Sequence, residues 1–598
     1  MRERLIGPVI MCIALLVLFV DRVAVAQVRS GPSSTKGDPA TASFRAGSEA
    51  YQRGDLRTAH MQFARVVRLA PKVAAGHSAF GTVLLAENNP KAAMAELEQA
   101  HRLDPGDNGT TLNLAFAHVQ LNDKAAAVIP LFRAADEAHE PFTPEQVIAY
   151  ASALEANSQP DLAEDRIEKA LIESPGSALL HDALGTVLVQ REQYGEAETY
   201  FRQAIELDPG LSSAFYHLGS LYLLEGNPSD ALAPLTQAHY LVDNNPAYAV
   251  QIGRALRAVG QDEESIRILR QAVQLAPTSI DARYELALSL QASGNPRDAI
   301  PLFQSTIKAK PDDCSVLTNY ALALVQVGDA KTAISLFQQA LGLTPGSPTL
   351  REDLGVAYLQ QADLDHAIEQ FLAGLAIAPS NSQLHYDLGL AYKLKDDVNA
   401  AILEFEKAAS LDPSLPDPPY TLGILYMQLA RFPEAQTQLE RATTLRPDHG
   451  DAWAMLGNVY KQNDQPQKAI VALRHAIQLM PAQPSPHITL ASVLVQLGDT
   501  TGAVSERRIA ADLSRAAVGR QRSQFALDSG RALLKQGNVK QAVEQLQAAV
   551  TADPNYSEAH VALAQALTRQ GRIADAAVER EQAQRLAHAQ EPSRESRR

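Results

Sequence analysis

A proline recurs every 34 residues along most of this chain, and that interval restricts the fold more than any local motif does. Pro141, Pro175, Pro209, Pro277, Pro311, Pro345, Pro379, Pro413, Pro447 and Pro481 lie on one grid, with Asp243 at its one vacant point. Pro71 and Pro105 keep the same spacing, offset from the later grid by a two-residue insertion between Ala134 and Pro141. A fixed period of this length, with helical pattern between the prolines, predicts a stack of helical hairpins in which each covers its neighbour's apolar face. At 598 residues the chain could hold several globular domains, but the unbroken period predicts one elongated array.

Numbering each repeat so that the grid proline is position 32 shows which residue types recur. The repeat ending at Pro481 has Trp453 at position 4, Leu456 and Gly457 at 7 and 8, Tyr460 at 11, Ala469 at 20 and Ala476 at 27. The one ending at Pro413 has Leu388, Gly389, Tyr392, Ala401, Phe405 and Ala408 at 7, 8, 11, 20, 24 and 27. Leu184, Gly185, Ala197, Phe201 and Ala204 repeat the pattern before Pro209. Gly or Ala at 8 and 20 predicts close approach of two helix backbones, with Leu, Tyr and Phe at 7, 11 and 24 filling the remaining space. Each repeat splits into two amphipathic stretches of roughly 12 to 14 residues, too short to persist alone in water, so packing must hold them. Asn89, Gln159, Asn227, Asn295 and Gln465 stand at position 16, each followed by proline. There Asn can cap the second helix and Pro suits its first turn. Asp107, Ser177, Ser279, Asp313, Ser347 and Asn381, two residues after the grid proline, read as caps of the next first helix.

This phased recurrence resembles the tetratricopeptide repeat. The resemblance covers about sixteen repeats from near Ala40 to near Gln590 and implies an all-α, right-handed superhelical solenoid of helix-turn-helix units. Residues 40–141 would hold repeats 1 to 3, residues 144–517 repeats 4 to 14, and residues 523–590 repeats 15 and 16 with a C-terminal cap, before a polar tail at 591–598. Five added residues, Val518 to Arg522, predict either a bend or a longer helix. Ala50 at position 11 marks a weak first repeat, and Arg507 and Arg580 occupy position 24 in the fourteenth and sixteenth.

The N-terminus reads as an export signal over residues 1–26: Arg2 and Arg4, an apolar run from Val9 to Val20, then Ala24-Val25-Ala26 as a small-x-small cleavage site. The apolar run is short against the roughly 20 residues of a bilayer span, which favours cleavage and leaves no stable span afterwards. Asp21 and Arg22 behind it keep an uncleaved anchor, as in a structural subunit of a cell-envelope export or secretion machine, as the alternative. Residues 27–39 read as a flexible leader. The expected location is therefore periplasmic or extracellular. With Cys12 inside the signal, Cys314 is the only cysteine of the mature chain, so no internal disulfide can form there.

The formal net charge of -15, without a Lys/Arg stripe, excludes general nucleic-acid binding. His77, His181, His385, His487 and His560 all occupy position 4, the place of Trp453, in separate repeats, and read as packing residues. There is no His-Glu-x-x-His, no phosphate loop and no Gly-x-Ser-x-Gly elbow. No catalytic, metal or cofactor residues are therefore assigned, and the expectation is a non-enzymatic scaffold for protein or peptide partners.

In proteins of the family that this chain resembles, positions 2, 5, 9 and 12 of the first helix face a concave, peptide-gripping groove. Carried onto this sequence, position 5 gives Tyr216, Tyr284, Tyr386 and Tyr420, as well as Phe44; position 9 gives Leu288, Val356, Leu390 and Ile424, as well as Phe116; position 12 gives Met427. The resemblance thus implies an apolar, tyrosine-bearing groove with little charge. Tyr offers large area with a polar tip, which favours it at interfaces; self-association through the same surface is the alternative to a foreign ligand.

Overall fold

The computed structural model describes residues 38–590 apart from Asn122. The export signal, all but the last two residues of the leader, and the polar tail lie outside the described residues. Among the described residues thirty-one helices follow one another, from α1 (Pro39–Gln52) to α31 (Ile573–Gln590), and there is no strand. In the sequence register they supply the two helices of sixteen repeats, because α28 (Thr500–Lys535) is the second helix of one repeat and the first of the next. The chain forms two compact blocks that divide between Val327 and Gly328. Within each block every helix packs on the next in sequence, and first helices also touch the first helix of the following repeat. In the N-terminal block α11 (Ser212–Leu224) meets α13 (Pro246–Ala258), which meets α15 (Ile280–Ala292). In the C-terminal block α19 (Pro348–Gln360) meets α21 (Ser382–Leu394).

One contact locks each hairpin. Position 8 of the first helix faces the side chain at position 24 of the second: Gly47 faces Phe63, Gly389 faces Phe405, and Gly457 faces Leu473. A methyl group on Gly389 would come within 2.8 Å of two Phe405 ring carbons. The glycine opens a socket for a side chain, and the backbones come close as well: a Cβ at Gly219 would lie 3.1 Å from the carbonyl oxygen of Ala231 at position 20. Phe63, Phe201, Phe303, Phe337, Phe371 and Phe405 are all at most 1% exposed, and burial of each contributes about 1.5–3 kcal/mol. Ala401 and Ala469 at position 20 are fully buried beside this contact.

The turn inside each hairpin makes a demand that the residue types do not advertise. Wherever position 15 is described, its backbone is left-handed: Gly294 has φ 79°, Asn88 56°, Ala362 56° and Asp464 55°. The cap at position 16 also departs from expectation. Asn89 accepts from the Ala92 amide, but Gln159, Asn227, Asn295 and Gln465 make no side-chain cap bond. Aspartates do so instead, with Asp55, Asp329, Asp363, Asp397 and Asp499 each accepting from an amide of the first turn. Of the caps expected on first helices, Ser177, Ser279, Asp313, Ser347 and Asn381 accept from the amide three residues on, and Asp107 does not.

At the five added residues the chain forms a longer helix, the 36-residue α28. The cause lies one period after Pro481, where Arg515 stands in place of proline and Gly519 is the one glycine, with no proline, from Ala511 to Gln521. At Asp243, the vacant point within the grid, the helix does end: Asn244 takes φ 65° and the Asn245 side chain accepts from the Ala247 amide, so the turn forms without proline.

The left-handed turn gives a clean test, because an added methyl at Gly294 would have nothing within 4 Å. Gly294→Ala should lower the local opening free energy of α15 and α16 (Pro296–Ala309), read by amide hydrogen exchange, by about 1 kcal/mol through backbone conformation alone. Ala362→Gly should act oppositely in its own repeat, by about 0.5 kcal/mol.

Candidate interaction surface

The nine residues singled out by position lie on first helices of both blocks. Tyr216 is on α11, and Tyr284 and Leu288 are on α15. Val356 is on α19, Tyr386 and Leu390 on α21, and Tyr420, Ile424 and Met427 on α23 (Asp417–Gln428). All nine are half-buried, none in the closed core and none fully open. The tyrosines are seated on other rings. Tyr386 meets the buried Phe405 at 5.4 Å between centroids and Tyr284 meets Phe303 edge-on at 6.1 Å. Tyr216 stacks on Tyr248 at 4.9 Å, and Tyr420 crosses His449 at 4.5 Å. Asn319 donates to the Tyr284 hydroxyl at 2.8 Å. Tyr284, Tyr386 and Tyr420 thus sit against rings of their own repeat and Tyr216 against one of the next, each only half-buried, and burial raises the hydroxyl pKa of Tyr386 and Tyr420.

The expectation of little charge is not met. Next to Tyr284, Glu285 is only 4% exposed and accepts from Arg254 Nε at 2.9 Å and from Arg257 at 2.7 Å, tying α15 to α13. Asp182 accepts from Ser213 at 2.7 Å and meets His217 Nδ1 at 2.8 Å, a second tie between neighbouring first helices. In the C-terminal block Asp417 accepts from Arg446 at 3.1 and 3.2 Å, but three other carboxylates are left over. Glu352 and Asp353 on α19 and Asp387 on α21 form no ion pair among the described residues. Burial, with the Glu352 charge beside it, pushes the Asp353 carboxyl up to about 6. Burial, then Glu352, pushes Asp387 up to about 7 against an opposing hydrogen bond from Gln383 at 3.2 Å. Positions 5 and 6 supply these acids. A lone Asp or Glu on a helix reads in sequence as a solvated residue, and only stacking of the repeats shows three of them sharing one surface.

Position 4 has a structural role that unites His and Trp there. His77, His385 and His560 each bring Nε2 within 2.9–3.1 Å of the carbonyl oxygen of the proline six residues earlier, and Trp453 donates Nε1 to Pro447 at 2.8 Å. The His rings hold a glutamate of their own second helix with Nδ1: Glu96 at 2.6 Å, Glu404 at 2.5 Å and Glu579 at 2.6 Å. His487 pairs with Glu506 in the same way at 2.5 Å. In these repeats position 4 supplies a ring N–H, from His or Trp, and the histidines belong to the joints between repeats, whereas Phe215, Ala249 and Leu317 hold the same position elsewhere.

Family models described as tetratricopeptide repeat match residues 44–108, 183–249, 284–348 and 527–586, then 324–388 and 394–459, then 247–279 and 450–483, between them more than half of the chain. The chain belongs to the tetratricopeptide-repeat family. Its repeats make it a protein-interaction scaffold in general terms. Among solved structures, the anaphase-promoting-complex hetero-tetramer Cut9–Hcn1 is similar at 15% identity and a TM-score of 0.40, covering 76% of this chain and 96% of that one. MamA is similar at 25% identity and a TM-score of 0.26 over 27% of this chain and 94% of that one. MamA from Desulfovibrio magneticus RS-1 is similar at 22% and 0.27 over 28% and 96%. No curated protein matches the sequence.

The buried acid on this tetratricopeptide surface makes stability depend on pH. Folded, Asp387 keeps its proton up to about pH 7; unfolded, it releases it near pH 4. Between those values the unfolded state binds fewer protons, so stability falls as pH rises. Asp387→Asn should therefore raise the melting midpoint at pH 8, and the gain should shrink toward zero at pH 4 in parallel thermal melts.

Proposed function

We propose that this chain is a non-catalytic, exported scaffold that holds protein or peptide segments along the first-helix rows of its tetratricopeptide repeats. The observation that carries this reading is the half-burial of all nine row residues over wholly buried Phe and Leu sockets. Rings fixed from beneath and accessible from one side present apolar area at little cost in side-chain entropy. In the C-terminal block Tyr386, Leu390, Tyr420, Ile424 and Met427 supply the apolar contacts, and Glu352, Asp353 and Asp387 favour a segment that places Lys or Arg beside them. In the N-terminal block Tyr216, Tyr284 and Leu288 act likewise, next to Asp182 held by Ser213 and His217 and Glu285 neutralised by arginine. Many weak contacts over successive repeats add, so affinity falls gradually as repeats are removed.

Export rests on Arg2, Arg4, the run Val9–Val20 and the Ala24-Val25-Ala26 site. Among the described residues no helix is long and apolar enough to cross a membrane. Anchoring by the N-terminal segment, within an envelope export or secretion machine, is the competing form.

Two measurements test these readings. Tyr284→Ala/Tyr386→Ala/Tyr420→Ala in one chain, with circular dichroism unchanged, should lose most of the partners that the parent retains in a pull-down from its own cell envelope; an unchanged set defeats the row assignment. The first residue of protein purified from its producing cells should be Gln27, and an intact Met1 start rejects cleavage.

A further inference from the structure

The long helix carries a surface that the tyrosine rows do not use. α28 joins the core of the preceding repeat through Ala503 and that of the following one through Ala526, Leu527 and Leu534. Between Ala503 and Ala526 only Ala510 and Ser523 are buried. Along the open side Val504, Arg508, Ala511, Arg515, Val518, Arg522 and Phe525 alternate an apolar residue with a guanidinium at steps of four and three, and all seven are exposed. Val504, Val518 and Phe525 are 65%, 49% and 77% exposed. At 3.6 residues per turn the seven fall within an arc of about 100° and span about 31 Å. With Val504, Ala511, Val518 and Phe525 at a and arginine at every e position, while Arg507, Ser514 and Gln521 at d are polar, the stripe is a single apolar row edged by guanidiniums, a narrower seam than the a/d seam of a self-pairing coiled coil. Beside its lower half lies an open cleft of about 760 Å³, walled by Arg515, Val518, Gly519 and Arg522 of α28 and by Ala548 and Ala552 of α29 (Val539–Ala552). Its floor is set by Gly519, where a Cβ would lie 2.6 Å from the Ala552 carbonyl oxygen.

Charge decides what fits. Arg508 and Arg522 form no ion pair among the described residues, and Arg515 pairs only with the exposed Asp512 on its own helix. A second copy laid antiparallel would set a row of arginines against the same row; laid parallel, it would offer Ala510, Ala517 and Gln524 at the g positions, with no anion. The chain's own ends fit no better. Residues 591–598 hold Arg594, Arg597 and Arg598 against Glu591 and Glu595, and residues 1–37 hold Arg2, Arg4, Arg22, Arg29 and Lys36 against Glu3 and Asp21. We propose that the seam of α28 docks an amphipathic helix of another protein, one whose apolar stripe is flanked by Asp or Glu. The apolar residues of that helix enter between the a positions and the cleft, and its carboxylates meet Arg508, Arg515 and Arg522. Because the charges are exposed, association is fast and sensitive to salt.

The probe is a labelled synthetic helix of four heptads, about 28 residues, with Leu at a and d and Glu at e and g, whose own charge repulsion opposes self-pairing. A counterpart with Lys for Glu is the control. Titrated with the full chain and followed by fluorescence anisotropy, the Glu helix should bind saturably and weaken at high salt, and the Lys helix should not bind. Arg508→Glu/Arg522→Glu should weaken the Glu helix by at least about tenfold and gain binding of the Lys helix, a reversal that misfolding cannot produce. No saturable binding, equal binding of both helices, or indifference to the reversal overturns the proposal. So does a parent chain that sediments as a dimer and becomes monomeric with Val518→Glu, since the seam would then belong to a second copy. The tyrosine rows lie on other helices, so this outcome is independent of theirs.

Discussion

The socket between position 8 and position 24 is the contact on which the architecture depends. Most helices are only 13 or 14 residues long and have no standing of their own in water, and the interlock of a small residue, Gly or Ala, with the side chain opposite it, most often a Phe ring or Leu branch, fixes how a pair sits. Every other regularity is arranged around it: the alanine at position 20, the left-handed residue that lets the second helix return, and the ring N–H at position 4 that fastens one hairpin to the next. Where the socket residue is wrong the regularity changes. Arg507 stands at position 24 of the fourteenth repeat and is exposed, and the helix that carries it runs on into the next repeat.

Much of this was legible in the sequence because the physical demand maps onto one residue type. Only proline recurs at position 32, only small residues fit opposite Phe405 or Leu473, and the five added residues Val518 to Arg522 marked a break in rhythm. The features that escaped are those that several residue types satisfy, or that arise only when repeats stack. Gly, Asn, Ser, Glu, Ala and Asp all take the left-handed turn at position 15, so no composition signal marks it. Cap bonds follow Asp at position 16 in five repeats, whereas Asn295 and Asn227 occupy the same place without making one. The crowding of Glu352, Asp353 and Asp387 comes from two helices 34 residues apart in register, and neither helix looks unusual alone.

The candidate surface shows why a packing role and a binding role need not compete. Tyr386 rests on Phe405 and Tyr284 on Phe303, so each ring is part of the hairpin's seal before any partner arrives. That seating restricts the side chain and makes it a pre-arranged contact. The two blocks handle the acids among these rings differently. Arginine neutralises Glu285 within the N-terminal block, while burial without a counter-ion keeps Asp353 and Asp387 poised near neutral pH in the C-terminal one.

The sparsely buried middle of α28 has a thermodynamic consequence. Cooperativity passes along such an array only through shared side chains at each joint, and from Val504 to Phe525 only Ala510 and Ser523 are buried, leaving polar ties such as His487–Glu506 and Arg520–Asp553 to do most of the joining. Heat or denaturant would then melt the C-terminal block in stages, with the last two hairpins behaving as a foldon of their own. An occupant spanning that stretch would couple the two sides and turn a staged melt into a single one.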